Sequence, residues 1–172
     1  MNCRAWVAVV AALVNTACAP ELNWRDVRSD ELGARLLFPC RPVRQQRELA
    51  LGGSSRIMVL HACNAGGIGW ALALVELRTS EERDPIEQEL SRAIRANLGA
   101  GTSDAEDAPQ LPAGEVRSPI RSWRGHAPDG RAIEAVTSFV YRPGWLVQVT
   151  AIGPAIAHGD AQVFVGSLRF DS

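Results

Sequence analysis

The chain's three histidines are the side chains that change charge nearest neutral pH, and their neighbours decide what acid–base chemistry they offer. His126 stands three residues before Asp129, and His158 two before Asp160. A His–Asp pair is the core of a hydrolase: the carboxylate orients an imidazole that takes a proton from water or a hydroxyl. The hydroxyls in range, Ser122 and Ser138, lack the glycine-flanked strand-to-helix turn that exposes a catalytic serine. Surface and capping roles explain both pairs more simply, and a hydrolase using His126 or His158 with Asp129 or Asp160 stands as the alternative. His61 falls inside an apolar run, where a hydrogen-bonded core role outweighs that of a base. Glu76 closes another such run; a carboxyl buried there needs a partner or its pKa rises, and Arg78 is close enough to serve.

Asn64-Ala65-Gly66-Gly67-Ile68-Gly69 has the glycine content of a phosphate loop. Such a loop must open into a helix and supply a lysine, whereas this one opens into the β-compatible run Trp70 to Leu77 in a chain that has no lysine. A hairpin turn is the better account.

The compartment follows from the first residues. Behind Arg4, the apolar segment Trp6 to Val14 has the length of a secretory h-region and about half of the ~20 residues needed to span a bilayer. Residues 1–17 are read as a signal peptide. Thr16-Ala17-Cys18 resembles the lipobox of bacterial lipoproteins, departing from it at Asn15, where leucine is usual. The resemblance implies lipid attachment at Cys18 and tethering to the periplasmic side of the envelope, including the outer membrane. Plain cleavage after Ala17 or Ala19 is the competing outcome.

Export sets the expectations for the remaining cysteines, Cys40 and Cys63. An oxidising envelope permits a disulfide between them, closing a loop of about two dozen residues for about 3 kcal/mol. The alternative sets Cys40, Cys63 and His61 around zinc, for which no fourth ligand is evident. No metal or cofactor is assigned.

With 18 basic against 19 acidic residues and a net charge of -1, the chain lacks the positive excess of a nucleic-acid surface. Arg41, Arg44 and Arg47 form the densest basic run, read as a solvated strand edge or loop. Tryptophans scattered through the chain suit a helix–sheet core. Alternatively Met58, Trp70, Tyr141 and Trp145 line an apolar pocket.

These side chains need a scaffold. Residues 18–33 read as a tether and first turns, and residues 34–172 as one α+β domain. Leu36-Leu37-Phe38, Arg47 to Leu51, Arg56 to Cys63 and Trp70 to Leu77 are strand candidates. Asp84-Pro85-Ile86-Glu87 has the spacing of a helix start with Asp84 as cap. Ile86, Leu90, Ile94 and Leu98 form one stripe, stopped by Gly99. Residues 99–114 read as a surface loop. A strand broken at Pro119 follows, then a hairpin turning at Arg142-Pro143-Gly144. A last helix is expected around Asp160 to Leu168. The fold class is a twisted antiparallel sheet covered by the mid-chain and C-terminal helices.

This order of elements resembles the PsbP-like fold, through the first strand ending in Phe38-Pro39, the mid-chain helix, the antiparallel group and an aromatic-containing last helix, Phe164 to Phe170. Phe38-Pro39-Cys40-Arg41-Pro42 with Ala62-Cys63-Asn64-Ala65-Gly66-Gly67 is similar to a group of uncharacterised proteobacterial exported or lipid-anchored proteins, a resemblance that implies pairing of the two cysteines. It carries architecture without an activity. The expected function is a noncatalytic binding or assembly module at a membrane surface, its partner an envelope protein or a small apolar ligand.

Overall fold

The two-residue turn Gly66-Gly67 sets the register between two central strands of the main sheet. The computed structural model describes residues 21–99, 103–106 and 116–171. In chain order its strands are β1 (Arg25–Ser29), β2 (Ala34–Phe38), β3 (Val43–Leu51), β4 (Ser54–Ala65), β5 (Ile68–Glu76), β6 (Ser103–Glu106), β7 (Val116–Arg117), β8 (Ile120–His126), β9 (Ala132–Arg142), β10 (Trp145–Gly153) and β11 (Arg169–Phe170). Helix α1 (Arg83–Leu98) follows β5, and α2 (His158–Gly166) follows β10. Gly66 and Gly67 have φ of 61° and 72°, the left-handed values that a two-residue hairpin requires and glycine adopts without strain. They place Ala65 opposite Ile68 and Met58 opposite Val75. The turn at Pro143-Gly144 also joins β9 to β10 in two residues, with only Gly144 left-handed, at φ 80°.

The resulting eight-stranded antiparallel sheet runs β3-β4-β5-β10-β9-β8-β6, with β7 also pairing to β9. Pro119 explains the gap between β7 and β8, since proline cannot donate to a ladder. Each face has its own cover. On one, Ile86 and Leu90 of α1 pack with Leu51, Met58, Val75, Phe139 and Leu146, and Leu98 packs with Trp123 and Ala135. On the other, Trp70, Leu72, Leu74, Val147 and Val149 meet Leu36 and Phe38 of β2 and Phe164 and Val165 of α2. Phe164 lies edge-on to both Trp70 and Phe38, at centroid distances of 5.0 and 5.3 Å. Side chains of this size contribute about 1.5–3 kcal/mol each when fully buried.

The α+β single domain expected from the sequence is therefore present, and α2 shares its face with a second, three-stranded sheet, β1-β2-β11. That sheet corrects two expectations. Part of the segment read as a tether is strand β1, paired with β2 from Arg25 opposite Phe38 to Ser29 opposite Ala34. The C-terminal helix stops at Gly166, and Arg169–Phe170 pairs with β2. Ser167 makes the change of course: its hydroxyl donates to the Phe164 carbonyl and accepts from the Leu37 amide.

Cys40 and Cys63 form a disulfide across a Cα–Cα distance of 6.0 Å. It ties the chain just past β2 to the interior strand β4, and so joins the two sheets. Both sulfurs are thereby removed from the zinc alternative.

Two further expectations change. Asp84 does not cap α1, because the chain already turns at Ser80–Glu82, where the Glu82 carboxylate accepts from the Arg78 and Thr79 amides. Asp84 lies inside the first turn and pairs with Arg83. Within the segment read as a loop at 99–114, Ser103–Glu106 is an edge strand beside β8; 100–102 and 107–114 lie outside the described residues. The C-terminal end of α1 matches expectation, with Gly99 at φ 57°. It lies so close to β8 that a Cβ on Gly125 would stand 1.9 Å from the Leu98 carbonyl oxygen.

Gly125→Ala should therefore destabilise the domain by about 1–3 kcal/mol or more, the usual cost of overpacking. Gly159, in α2, has nothing within 4 Å of its Cβ position, so Gly159→Ala should be neutral or stabilising. Thermal denaturation of both variants checks the contrast. Cys63→Ala should cost about 2–4 kcal/mol by urea titration under non-reducing conditions.

Candidate groove between helix α1 and strands β7 and β8

Helix α1 buries Ile86, Leu90 and Leu98, which turns Glu87, Gln88, Ser91 and Arg95 onto the flank beside that stripe. Strand β8 answers with alternation: Arg121 and Trp123 stand opposite Thr137 and Ala135 of β9, on the face that α1 covers. Helix flank and strand face enclose an open groove with two adjoining halves. Near the start of α1 it is lined by Arg83, Asp84, Glu87, Arg117, Ser118, Arg121 and Tyr141. Toward the helix end it is lined by Glu87, Gln88, Ser91, Arg92, Arg95, Arg121 and Trp123, around about 330 Å³.

The first half is internally compensated. Arg83 donates to Asp84 at 2.6 Å and lies over the Tyr141 ring at 5.5 Å. The hydrogen bond from Arg83 holds the Asp84 carboxyl below its ordinary value. Glu87 accepts from the Ser118 hydroxyl at 2.7 Å, and Arg117 donates to the Val165 carbonyl.

The second half is not compensated. Among the described residues Arg92 donates only to the Gln88 carbonyl of its own helix, at 3.3 Å, and neither Arg95 nor Arg121 has a carboxylate partner. Arg95 in the last helical turn favours the carbonyl end of α1, an account that does not extend to Arg121 on the facing strand. Trp123 is 2% exposed, and its indole Nε1 has no acceptor among the described residues, an omission that costs about 1–3 kcal/mol. Among the described residues the arrangement supplies guanidinium, hydroxyl and amide donors with Glu87 as its one carboxylate, so it suits an anion.

Several other arginines are engaged elsewhere. Arg56 is almost fully buried, bonded to Glu82 and to the Leu51 and Glu76 carbonyls. In the basic run, Arg44 pairs with Glu31 and Arg47 with Gln45, on edge strand β3.

The candidate catalytic pairs do not assemble as spaced in the sequence. Asp129 is engaged by the backbone and guanidinium of Arg131, and His126 is exposed. His158 borders a cleft of about 120 Å³ with Ser122, Glu134 and Gln162. The carboxylate there is Glu134 rather than Asp160, and it accepts from Arg124 and the Ile156 amide. That volume falls below the about 300–1,000 Å³ typical of small-molecule sites. Ser138 is buried and donates to the Ser118 carbonyl. Glu76 is exposed at the end of β5.

His61 is buried on β4, its Nε2 3.6 Å from the Glu31 carboxylate and without a hydrogen-bond partner among the described residues. Ser29 donates to that same carboxylate. Glutamate thus stands between serine and histidine, the reverse of the order in which an imidazole activates a hydroxyl. Partial burial pushes the Glu31 carboxyl up, but hydrogen bonds from Ser29, its own backbone and Arg44 outweigh this and lower it to about 2.

The proposed apolar pocket is not formed. Trp70 and Trp145 belong to the face covered by α2 and the small sheet, whereas Met58 and Tyr141 belong to the face covered by α1. The signal peptide and Cys18 lie outside the described residues. No protein-family model matches the chain, and no curated protein is detectably similar to it.

Because its folded-state pKa is depressed, Glu31 contributes stability that is present above its ordinary value of 4.5 and lost as pH falls toward about 2. Glu31→Gln should be less stable than wild type near neutral pH, with the gap closing through that window. Urea midpoints measured against pH check it.

Proposed function

We propose that the protein is a noncatalytic binding module of the bacterial envelope, exported by residues 1–17 and held at a membrane surface through Cys18. The groove between α1 and β8 is its contact site for an anionic component of that surface. One observation carries this: Arg92, Arg95 and Arg121 converge on one concavity without a carboxylate partner among the described residues. Guanidinium groups are the side chains best suited to oxyanions, because their planar fork offers paired donors and they stay charged at every accessible pH. An anchored domain needs only modest affinity at such a site, since the anchor raises its local concentration at the membrane.

Localisation on the periplasmic side rests on the apolar segment from Trp6 to Val14 and on Thr16-Ala17-Cys18. Among the described residues no helix is long and apolar enough to cross a membrane. The PsbP-like resemblance belongs to the same proposal; it rests on the mid-chain helix, the antiparallel strands and Phe164 at the close, and supplies no reaction.

Flotation of protein carrying Cys18→Ala separates groove from anchor. It should rise with phosphatidylcholine vesicles doped with phosphatidylglycerol and stay down with phosphatidylcholine alone. Added salt should release it, and the triple change Arg92→Gln, Arg95→Gln, Arg121→Gln should reduce capture at least severalfold. Equal behaviour with both vesicle types would contradict this function.

A further inference from the structure

The groove's chemistry narrows its ligand. Its cations come from two directions, Arg92 and Arg95 from the helix flank and Arg121 from the strand face, around one volume of about 330 Å³. A carboxylate has two oxygens in one plane and is satisfied by a single arginine fork. A phosphate diester offers two unbridged oxygens and one charge. A phosphate monoester offers three oxygens pointing in different directions and up to two charges, its second pKa lying near 6. Three guanidiniums that approach from a wall and a floor match the monoester best. Glu87, the carboxylate in this half, is bonded to Ser118 and leaves the excess positive. The Trp123 indole lies beside these groups with its Nε1 fully buried, and Ser91 and Gln88 supply neutral donors next to the arginines.

From this we infer that the half of the groove nearest the end of α1 is a phosphate-monoester site, in which Arg92, Arg95 and Arg121 hold the oxyanion over Trp123. The inference rests on the anion-binding function proposed above and deepens it. A monoester reaches this site from either of two sources, a soluble phosphorylated metabolite or a membrane lipid whose headgroup ends in phosphate. The chemistry at the arginines is the same.

Isotope-labelled protein carrying Cys18→Ala gives the test, with the Trp123 indole N–H resonance, assigned by its loss in Trp123→Phe, as reporter. Inorganic phosphate and glycerol phosphate should shift this resonance saturably, and more tightly above pH 6 than below it as the second phosphate proton leaves. Acetate at matched ionic strength should leave it in place. Arg121→Gln should weaken the phosphate response about tenfold, while Arg47→Gln, on the far edge of the sheet, should not change it. Vesicles containing phosphatidic acid, compared with phosphatidylglycerol at equal surface charge, then separate the sources. Preferential capture by phosphatidic acid assigns a lipid headgroup; equal capture, with the soluble phosphate response intact, assigns a soluble ester. An equal response to acetate, or a phosphate response that survives Arg121→Gln, overturns the inference. Capture by phosphatidylglycerol vesicles without any phosphate response would remove the monoester site and leave the broader membrane-binding function standing.

Discussion

The carbonyl oxygen of Leu98 occupies the space that any side chain at position 125 would need, and the placement of helix α1 depends on that approach. Gly125 lets the C-terminal end of the helix come down onto β8, where Leu98 packs with Trp123 and Ala135. At the other end, Ile86 is fully buried against the Gly52 turn and the core around Met58 and Phe139. With both ends pinned by apolar burial, the flank that carries Ser91, Arg92 and Arg95 has little choice but to face Arg121. The groove is the remainder left when the stripe on α1 is satisfied.

Many charges elsewhere are cancelled locally. The small sheet's rim holds Asp26 and Asp171 among Arg28, Arg35 and Arg169, and Asp129 and Glu134 hold Arg131 and Arg124. Pairs this exposed add little stability, about 0–1 kcal/mol each, but they leave those arginines less available to an external anion. Stability comes instead from the two buried faces of the main sheet and from the Cys40–Cys63 bond between the sheets. A chain with nearly balanced charge can thus present one concentrated positive concavity.

What the sequence revealed depended on how local the cause was. The Gly66-Gly67 and Pro143-Gly144 turns, the stripe from Ile86 to Leu98 and the stop at Gly99 are written in adjacent residues, and all appear in the structure. Strand β11 could not be seen this way: it is two residues long and exists because β2, far earlier in the chain, offers an edge. The apolar pocket failed for a reason that was legible. A two-residue turn at Gly66-Gly67 pairs even-numbered residues of β4 with odd-numbered residues of β5, as Met58 with Val75, so Met58 and Trp70 must face opposite ways. The groove was the least legible feature. Arg92 and Arg95 look like any solvated helix flank, Arg121 follows a proline-broken strand, and only tertiary packing makes them neighbours. Trp123 and Arg121 at alternate positions were the one available signal that a polar site and a core residue share a face.

The proposed oxyanion site is one cluster of arginines and not the chain's arginines in general. Anomalous diffraction from crystals soaked in tungstate, an electron-dense tetrahedral oxyanion, addresses it directly. A peak is expected between Arg92, Arg95 and Arg121 at low tungstate concentration, ahead of any at Arg41, Arg47 or Arg78. Occupancy at those exposed arginines with the groove empty would contradict it.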